Sequence, residues 1–340
     1  MKKIIYIALI IGFNTSVFAQ QESQFTQFYM NPYLFNPAAS GMTSVIDLNM
    51  GFRQQWAGID GAPRSFFATG HSQIKIGKKA DQVLQEFRPT GAFFASPDVS
   101  TGGTKHVVGG RAFTDQIGPF NKTNLGASYA FHFPLISEIN MSFGLSAGWS
   151  NYGLRTAGIK LHQQEDGVYA NLISSGGNQN FFDMQAGSMI YHKYFEVGYS
   201  MTQMINNRFV VDNLTTDSRF ERHHFVYLAG NIDFNENWIV SPALFMRSVK
   251  NVPLNFEGAI RLQYKKMAWL GVGYRNTNTL TISAGANFAK NFRIGYSFDA
   301  GLGSYSAIQS GGSHEVLIGF VLGKNRKLEK ELDKSVKEAE

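Results

Sequence analysis

The chain has 340 residues, 16% of them charged and 14% aromatic, with 35 Gly and no Cys. Soluble proteins carry about 25% charged residues, and the missing thiols exclude disulfides, thiolate metal sites and a lipid-bearing N-terminal Cys. The net charge of +6 falls to +4 without Lys2 and Lys3, and this mild excess gives no support for nucleic-acid binding, which needs clustered Lys and Arg.

Residues 1–19 read as a secretory signal, with Lys2 and Lys3 ahead of the apolar run 4–13 and Val17-Phe18-Ala19 before a cleavage point at Gln20. That run is too short to span a bilayer, and no later one approaches the roughly 18 apolar residues a transmembrane helix needs. A mature membrane protein with this sequence must then be a closed barrel, since open sheet edges cannot be satisfied in lipid.

Residues 20–42 crowd Phe25, Phe28, Tyr29, Tyr33, Leu34 and Phe35 around two Asn-Pro steps, Asn31-Pro32 and Asn36-Pro37. Each Pro biases the residue before it away from helix. The expectation is a short helical turn, then an ordered irregular segment seated at the periplasmic mouth of the barrel. Phe28, Tyr29, Asn31, Pro32, Tyr33, Phe35, Asn36 and Pro37 are its candidate plug and partner-binding residues. The plainer alternative is an aromatic collar at the membrane interface.

Beyond residue 43 the pattern has period two. In 291–301, Phe292, Ile294, Tyr296 and Phe298 share one face, with Arg293, Gly295, Ser297 and Asp299 on the other. The same alternation predicts strands over 44–55, 64–76, 106–115, 123–133, 139–149, 181–191, 194–204, 223–234, 238–248, 254–265, 267–275, 279–289, 291–301 and 314–322. An apolar face opposite a polar one, repeated in segments of about ten residues, is the mark of an all-β, up-and-down transmembrane barrel, here of about 14 strands. Asp47, Arg53, Asp183, Glu196, Glu257, Arg261, Lys265, Arg275, Arg293, Asp299 and Glu315 all fall opposite apolar faces and are the candidate lumen charges. Both signs are present, so a mutually paired, plugged interior is as compatible with the pattern as an ion-selective pore.

Connection lengths orient the barrel. The tight turns near 134–138, 192–193, 235–237, 265–266 and 290 belong in the periplasm, and the long stretches 151–180 and 206–222 outside. An even strand count then puts both termini in the periplasm, with 80–104 as a periplasmic insertion. Residues 324–340 carry Leu328, Leu332 and Val336 among mixed charges, and read as a charged periplasmic tail.

Three ordered motifs carry a family resemblance: Tyr29–Ala38 with its paired Asn-Pro steps, Phe52–Pro63 (FRQQWAGIDGAP), and Asp115–Phe120 (DQIGPF). Together they resemble the PorP/SprF family of outer-membrane proteins of the type IX secretion system, over the mature chain to about Gly323. The resemblance implies a non-enzymatic component that supports export or surface attachment of a large adhesin, of the gliding-motility type, through the adhesin's C-terminal domain. Other type IX secretion components and outer-membrane lipid are its implied partners, and it brings no cofactor, metal or catalytic residue. The residue pattern by itself reaches only a barrel that binds or conducts something. A porin, or a hydrophobic-solute transporter with an N-terminal plug, stands as the alternative.

Enzymatic signals are thin. Gly144-Leu145-Ser146-Ala147-Gly148 matches the nucleophile-elbow pattern but lies inside a predicted strand, where Ser146 should simply face the lumen. His132, on the neighbouring strand and also lumen-facing, is the one base within argument. His223-His224 should face opposite sides, and Asp166-Gly167 and Asp212-Asn213 suit turns better than calcium.

Overall fold

The computed structural model describes residues 23–42, 46–74, 104–136, 138–155, 178–205, 207–209, 218–288, 291–303 and 311–322. The signal segment, nearly all of 80–104, the 324–340 tail, and the middles of both long connections with Asp166-Gly167 and Asp212-Asn213 lie outside the described residues. Fourteen strands among the described residues close into one antiparallel barrel. They are β1 Ile46–Gln54, β2 Arg64–Ile74, β3 Lys105–Ile117, β4 Phe120–Ile136, β5 Ile139–Leu154, β6 Asn178–His192 and β7 Phe195–Thr202, then β8 His223–Gly230, β9 Trp238–Val249, β10 Asn255–Tyr264, β11 Ala268–Arg275, β12 Thr279–Phe288, β13 Phe292–Gly301 and β14 Ser313–Leu322. Each pairs with its chain neighbour, and the ring closes where β14 returns to β1 with Ile46 opposite Leu322.

The alternation read from the sequence is the alternation of the wall. On β1, Leu48, Met50 and Phe52 are exposed on the outer surface, while Asp47, Asn49 and Arg53 are buried inside. Leu270, Val272, Ile282, Ile294 and Ile318 continue the apolar exterior, which in a bilayer replaces water with lipid. Aromatic rings gather where the strands meet the tight turns: Trp238 on Tyr264 at 4.7 Å, and Phe292 between Phe288 and Phe320 at 5.9 and 4.8 Å.

Strand heights are uneven. β3 to β6 run 13, 17, 16 and 15 residues, against 8 for each of β7, β8 and β11. Pairing of β6 with β7 stops at Ala186 opposite Met201, so residues 178–185 stand above their neighbour at the mouth carrying the long connections. β8 is shorter than the alternation suggests. Asn231 breaks the ladder, donating its N–H to the Tyr194 carbonyl at 2.9 Å and accepting the Ser241 hydroxyl at 2.7 Å. Only Ile232–Asp233 pairs again with β9.

The core of the molecule is inside the ring. Residues 26–30 form turns, and each Asn-Pro step then starts a 3-10 turn, Pro32–Leu34 and Pro37–Ala39. Proline suits that first position because its φ is already set and its missing N–H would have had no partner there. Asn36 caps its turn by accepting the Ala38 N–H at 3.0 Å. Gly41, at φ +73, turns the chain out toward β1.

Candidate functional site

The segment does not sit at one mouth, as the sequence suggested; it runs the length of the lumen. Thr26 lies against Arg53, Asp299 and Glu315, all near the strand ends that carry the long connections. Tyr29 donates its hydroxyl to Ser283 at 2.9 Å, and Asn31 donates to Thr69 at 2.9 Å, both halfway along their strands. Gly41 donates its N–H to His71 Nδ1 at 3.2 Å, near the opposite mouth. Strand parity fixes where β1 starts, and the preceding residues are long enough to cross the barrel first.

At the long-connection end the segment is held by charge. Arg53 meets Asp299 at 2.6 Å and Glu315 at 3.1 Å; Arg275 meets Glu257 at 2.7 Å and Asp299 at 3.2 Å. All five side chains are buried. Two guanidinium groups face three carboxylates, and the segment supplies the missing donors. The N–H groups of Thr26 and Gln27 go to the two Glu315 oxygens at 2.7 and 3.0 Å. The Thr26 hydroxyl donates to Asp299 at 2.8 Å and accepts from Arg53 at 2.9 Å and Arg275 at 3.0 Å. Buried charges need partners of opposite sign, and removing one member of such a set costs about 3–5 kcal/mol, although Arg53 Nε and one Glu257 oxygen stay without a hydrogen bond.

Further along, the wall accepts the segment by shape. A Cβ on Gly144 would come within 2.3 Å of the Ala38 nitrogen, and one on Gly187 within 2.0 Å of Asn36 Oδ1, so only glycine lets the Asn-Pro turn lie flat on β5 and β6. Asn36 donates to the Ser188 carbonyl at 3.1 Å, Ser142 donates to the Ala38 carbonyl at 2.7 Å, and Ser200 and Gln185 donate to the Phe35 carbonyl. Tyr33 shares a hydrogen bond with Ser128 at 2.7 Å and sets its ring on His71 at 5.2 Å.

Between the two ends lies an aromatic core. Phe28 stacks on Phe245 at 5.2 Å, Phe35 packs on Phe245 at 4.8 Å and Phe225 at 5.9 Å, and Phe25 meets Phe67 edge-on at 4.9 Å. Burying one such side chain contributes about 1.5–3 kcal/mol, against about 1–2 kcal/mol to fix each residue's backbone. The density of aromatics is therefore what lets an irregular segment stay ordered. All eight residues singled out in the segment lie within this packing: Phe28, Tyr29, Asn31, Tyr33, Phe35, Asn36 and Pro37 are buried, and Pro32 is half-buried.

The family description "Type IX secretion system membrane protein PorP/SprF" matches residues 17–320. The chain belongs to the PorP/SprF family. As a PorP/SprF protein it is a membrane component of type IX secretion, located in the outer membrane. Curated proteins give no match. Among solved structures it is similar to three barrels. The Acinetobacter baumannii outer membrane protein Omp33 has 10% identity, coverage of 83% of this chain and 100% of that one, and a TM-score of 0.44. The monoaromatic hydrocarbon channel CymD has 11% identity, coverage of 87% and 92%, and a TM-score of 0.45. The Pseudomonas putida toluene transporter TodX has 12%, 86% and 92%, and 0.43.

Within this PorP/SprF barrel the candidate lumen charges fall into groups. Glu257, Arg275 and Asp299 join Arg53 and Glu315 in the clamp, and Arg293 pairs with Asp47 at 3.2 Å near the tight-turn mouth. Arg261 lies over the Tyr29 ring at 4.0 Å, and Glu196 lines the same recess beside it. Asp183 is half-buried in an aromatic recess at the other mouth, beside Phe181 and Phe220. Lys265 is a correction: it sits in the β10–β11 turn at φ +48 with its ammonium 5.7 Å from the Tyr264 ring, outside the lumen lining. The alternation ends one residue earlier, at Tyr264.

Sequence reasoning missed Thr26 and Gln27, the polar residues that the clamp holds, and the seats at Gly144 and Gly187. Gly144 also accounts for part of the nucleophile-elbow match, since it is where the Asn-Pro turn lands. Ser146 is buried and lies opposite Ser128 and Gln185 across the sheet, whereas His132 lies opposite Ser142 and bonds Tyr191 at 2.9 Å. Four residues of strand, roughly 13 Å, separate the two registers.

Proposed function

We propose that this PorP/SprF barrel supports export of a large adhesin, or its attachment at the cell surface, by docking the adhesin's C-terminal domain, and that it acts as a dock and not as the conduit. One observation carries the proposal. Among the described residues, the chain's own residues 23–42 run through the lumen, clamped at one end and seated at the other, where an exported polypeptide would have to pass. No catalytic step is assigned. Loop lengths support an orientation with the long connections outside and the tight turns, the start of β1 and the end of β14 in the periplasm. In that orientation Ser23 to Gln27 lie in the outer half of the lumen, and the short-turn mouth meets partners arriving from the periplasm.

Deleting residues 24–35 tests this in cells. The barrel should still reach the outer membrane in heat-modifiable form while adhesin display is lost; full display by that variant would contradict the proposal. Protease added to intact cells should cut within 151–180 or 206–222 and spare 80–104. A second reading, a hydrophobic-solute transporter with an N-terminal plug, is favoured by the recess at the long-connection mouth, a cavity of about 60 Å3 lined by Phe25, Phe35, Phe113, Tyr152, Phe181 and Phe220. Uptake of a monoaromatic hydrocarbon by liposomes carrying the purified barrel would select that reading.

A further inference from the structure

The tight-turn mouth holds a second recess, a cavity of about 90 Å3 whose floor is the underside of the segment at Tyr29 to Tyr33. Its rim is polar and comes from well-separated strands: Asp47 on β1, His71 on β2, Glu196 on β7, Gln263 on β10 and Arg293 on β13, with Asn231 from the β8–β9 connection. Arg261 stands within it. This side chain differs from the other buried guanidinium groups whose ion pairs are described above. Arg53, Arg275 and Arg293 each meet a carboxylate at 2.6–3.2 Å. Arg261 is only 7% exposed, yet among the described residues no carboxylate lies within 4.0 Å of it.

What Arg261 does have is weak. It donates to Met30 Sδ at 3.6 Å and lies over the Tyr29 ring at 4.0 Å; its Nε, like those of Arg53 and Arg293, makes no hydrogen bond, so the difference lies in the missing carboxylate. A guanidinium carries five N–H donors in a fixed fork shaped for a carboxylate. A cation–π contact holds the charge in place but accepts none of those hydrogens in the fork plane. Glu196, which lines the same recess, stands beyond ion-pair distance from Arg261. Asp47 is taken by Arg293 and Asn49. The recess therefore holds a positioned, buried cation with an open fork.

We propose that this recess is a carboxylate-binding subsite anchored by Arg261, and that its occupant is a carboxylate of the exported polypeptide, from an acidic side chain or the C-terminus. The inference rests on the docking reading above and names the chemistry of the dock. Tyr29 and Met30 position Arg261, so occupation of the subsite is coupled to the seating of the segment. Glu196 in the same recess limits the occupant to a single carboxylate and disfavours clustered acids by repulsion.

The test uses the full-length barrel in detergent micelles with 15N-labelled arginine, titrated with sodium acetate against sodium chloride at matched ionic strength. The Arg261 Nε signal, assigned by its loss in Arg261→Lys, should shift saturably with acetate and not with chloride. No saturable shift in the native protein overturns the subsite, whether or not any variant folds. In cells, Arg261→Gln should lower adhesin display by at least about tenfold while the amount of heat-modifiable barrel is unchanged. Acetate binding with undiminished display would overturn the polypeptide as occupant and leave a free small carboxylate. If display persists when the entire barrel is deleted, the docking reading fails, and the acetate titration still decides the subsite.

Discussion

Along β1, β10, β11, β13 and β14 the lining grips the internal segment with ionised side chains; along β4 to β7 it grips with glycines, small hydroxyls and backbone carbonyls. Thr26 bonds two guanidinium groups and two carboxylates, whereas the hydrogen-bond partners of Phe35, Asn36 and Ala38 among the described residues are uncharged. The charged half depends on a complete set of partners. The uncharged half depends on the absence of side chains where the segment lies. These two modes fail differently. Removing one charge strands the rest, and adding one methyl group pushes the backbone off its seat.

The largest effect is expected in the charged half. Arg53→Ala leaves Asp299 and Glu315 buried with fewer donors and should lower stability by about 3–5 kcal/mol, read by chemical denaturation in micelles. Hydrogen exchange should then rise first at Thr26 and Gln27 and later at Ala38. Equal exchange at both ends would mean that the segment detaches as one unit and that the two-mode comparison is wrong.

In the uncharged half, Gly144→Val should cost about 1–3 kcal/mol, because the added side chain meets the Ala38 backbone and the wall must give. Gly258→Val is its control: a Cβ there meets nothing within 4 Å, and the change should cost well under that amount. A similar loss at both positions would attribute the effect to strand glycines in general. Tyr33→Phe removes the bond to Ser128 while keeping the ring on His71, and should cost about 1 kcal/mol. Ser146→Ala should fall within about 0.5 kcal/mol of native and leave adhesin display intact.

The barrel was legible because its signal is one-dimensional. Leu48, Met50 and Phe52 must all face lipid, so a two-residue period repeats in every strand and survives weak local propensity. The charges opposite them were legible for the same reason, down to the members of the clamp. Lys265 was misread because alternation does not say where a strand stops, and a left-handed turn residue looks like one more alternating position. The glycine seats were hidden: Gly144 and Gly187 read as ordinary strand glycines until the Asn-Pro turn is placed against them. Thr26 was hidden among louder aromatics. The course of the segment was not legible at all, since strand parity constrains β1 and says nothing about how residues 23–42 reach it.

Packed along the lumen, residues 23–42 should close it from within. Planar-bilayer conductance of the purified native barrel, beside a variant lacking residues 24–35, tests it most directly. The native barrel should stay near the closed baseline, and the variant should conduct as an open pore while remaining heat-modifiable. A native barrel that already conducts, with conductance unchanged by the deletion, would contradict it.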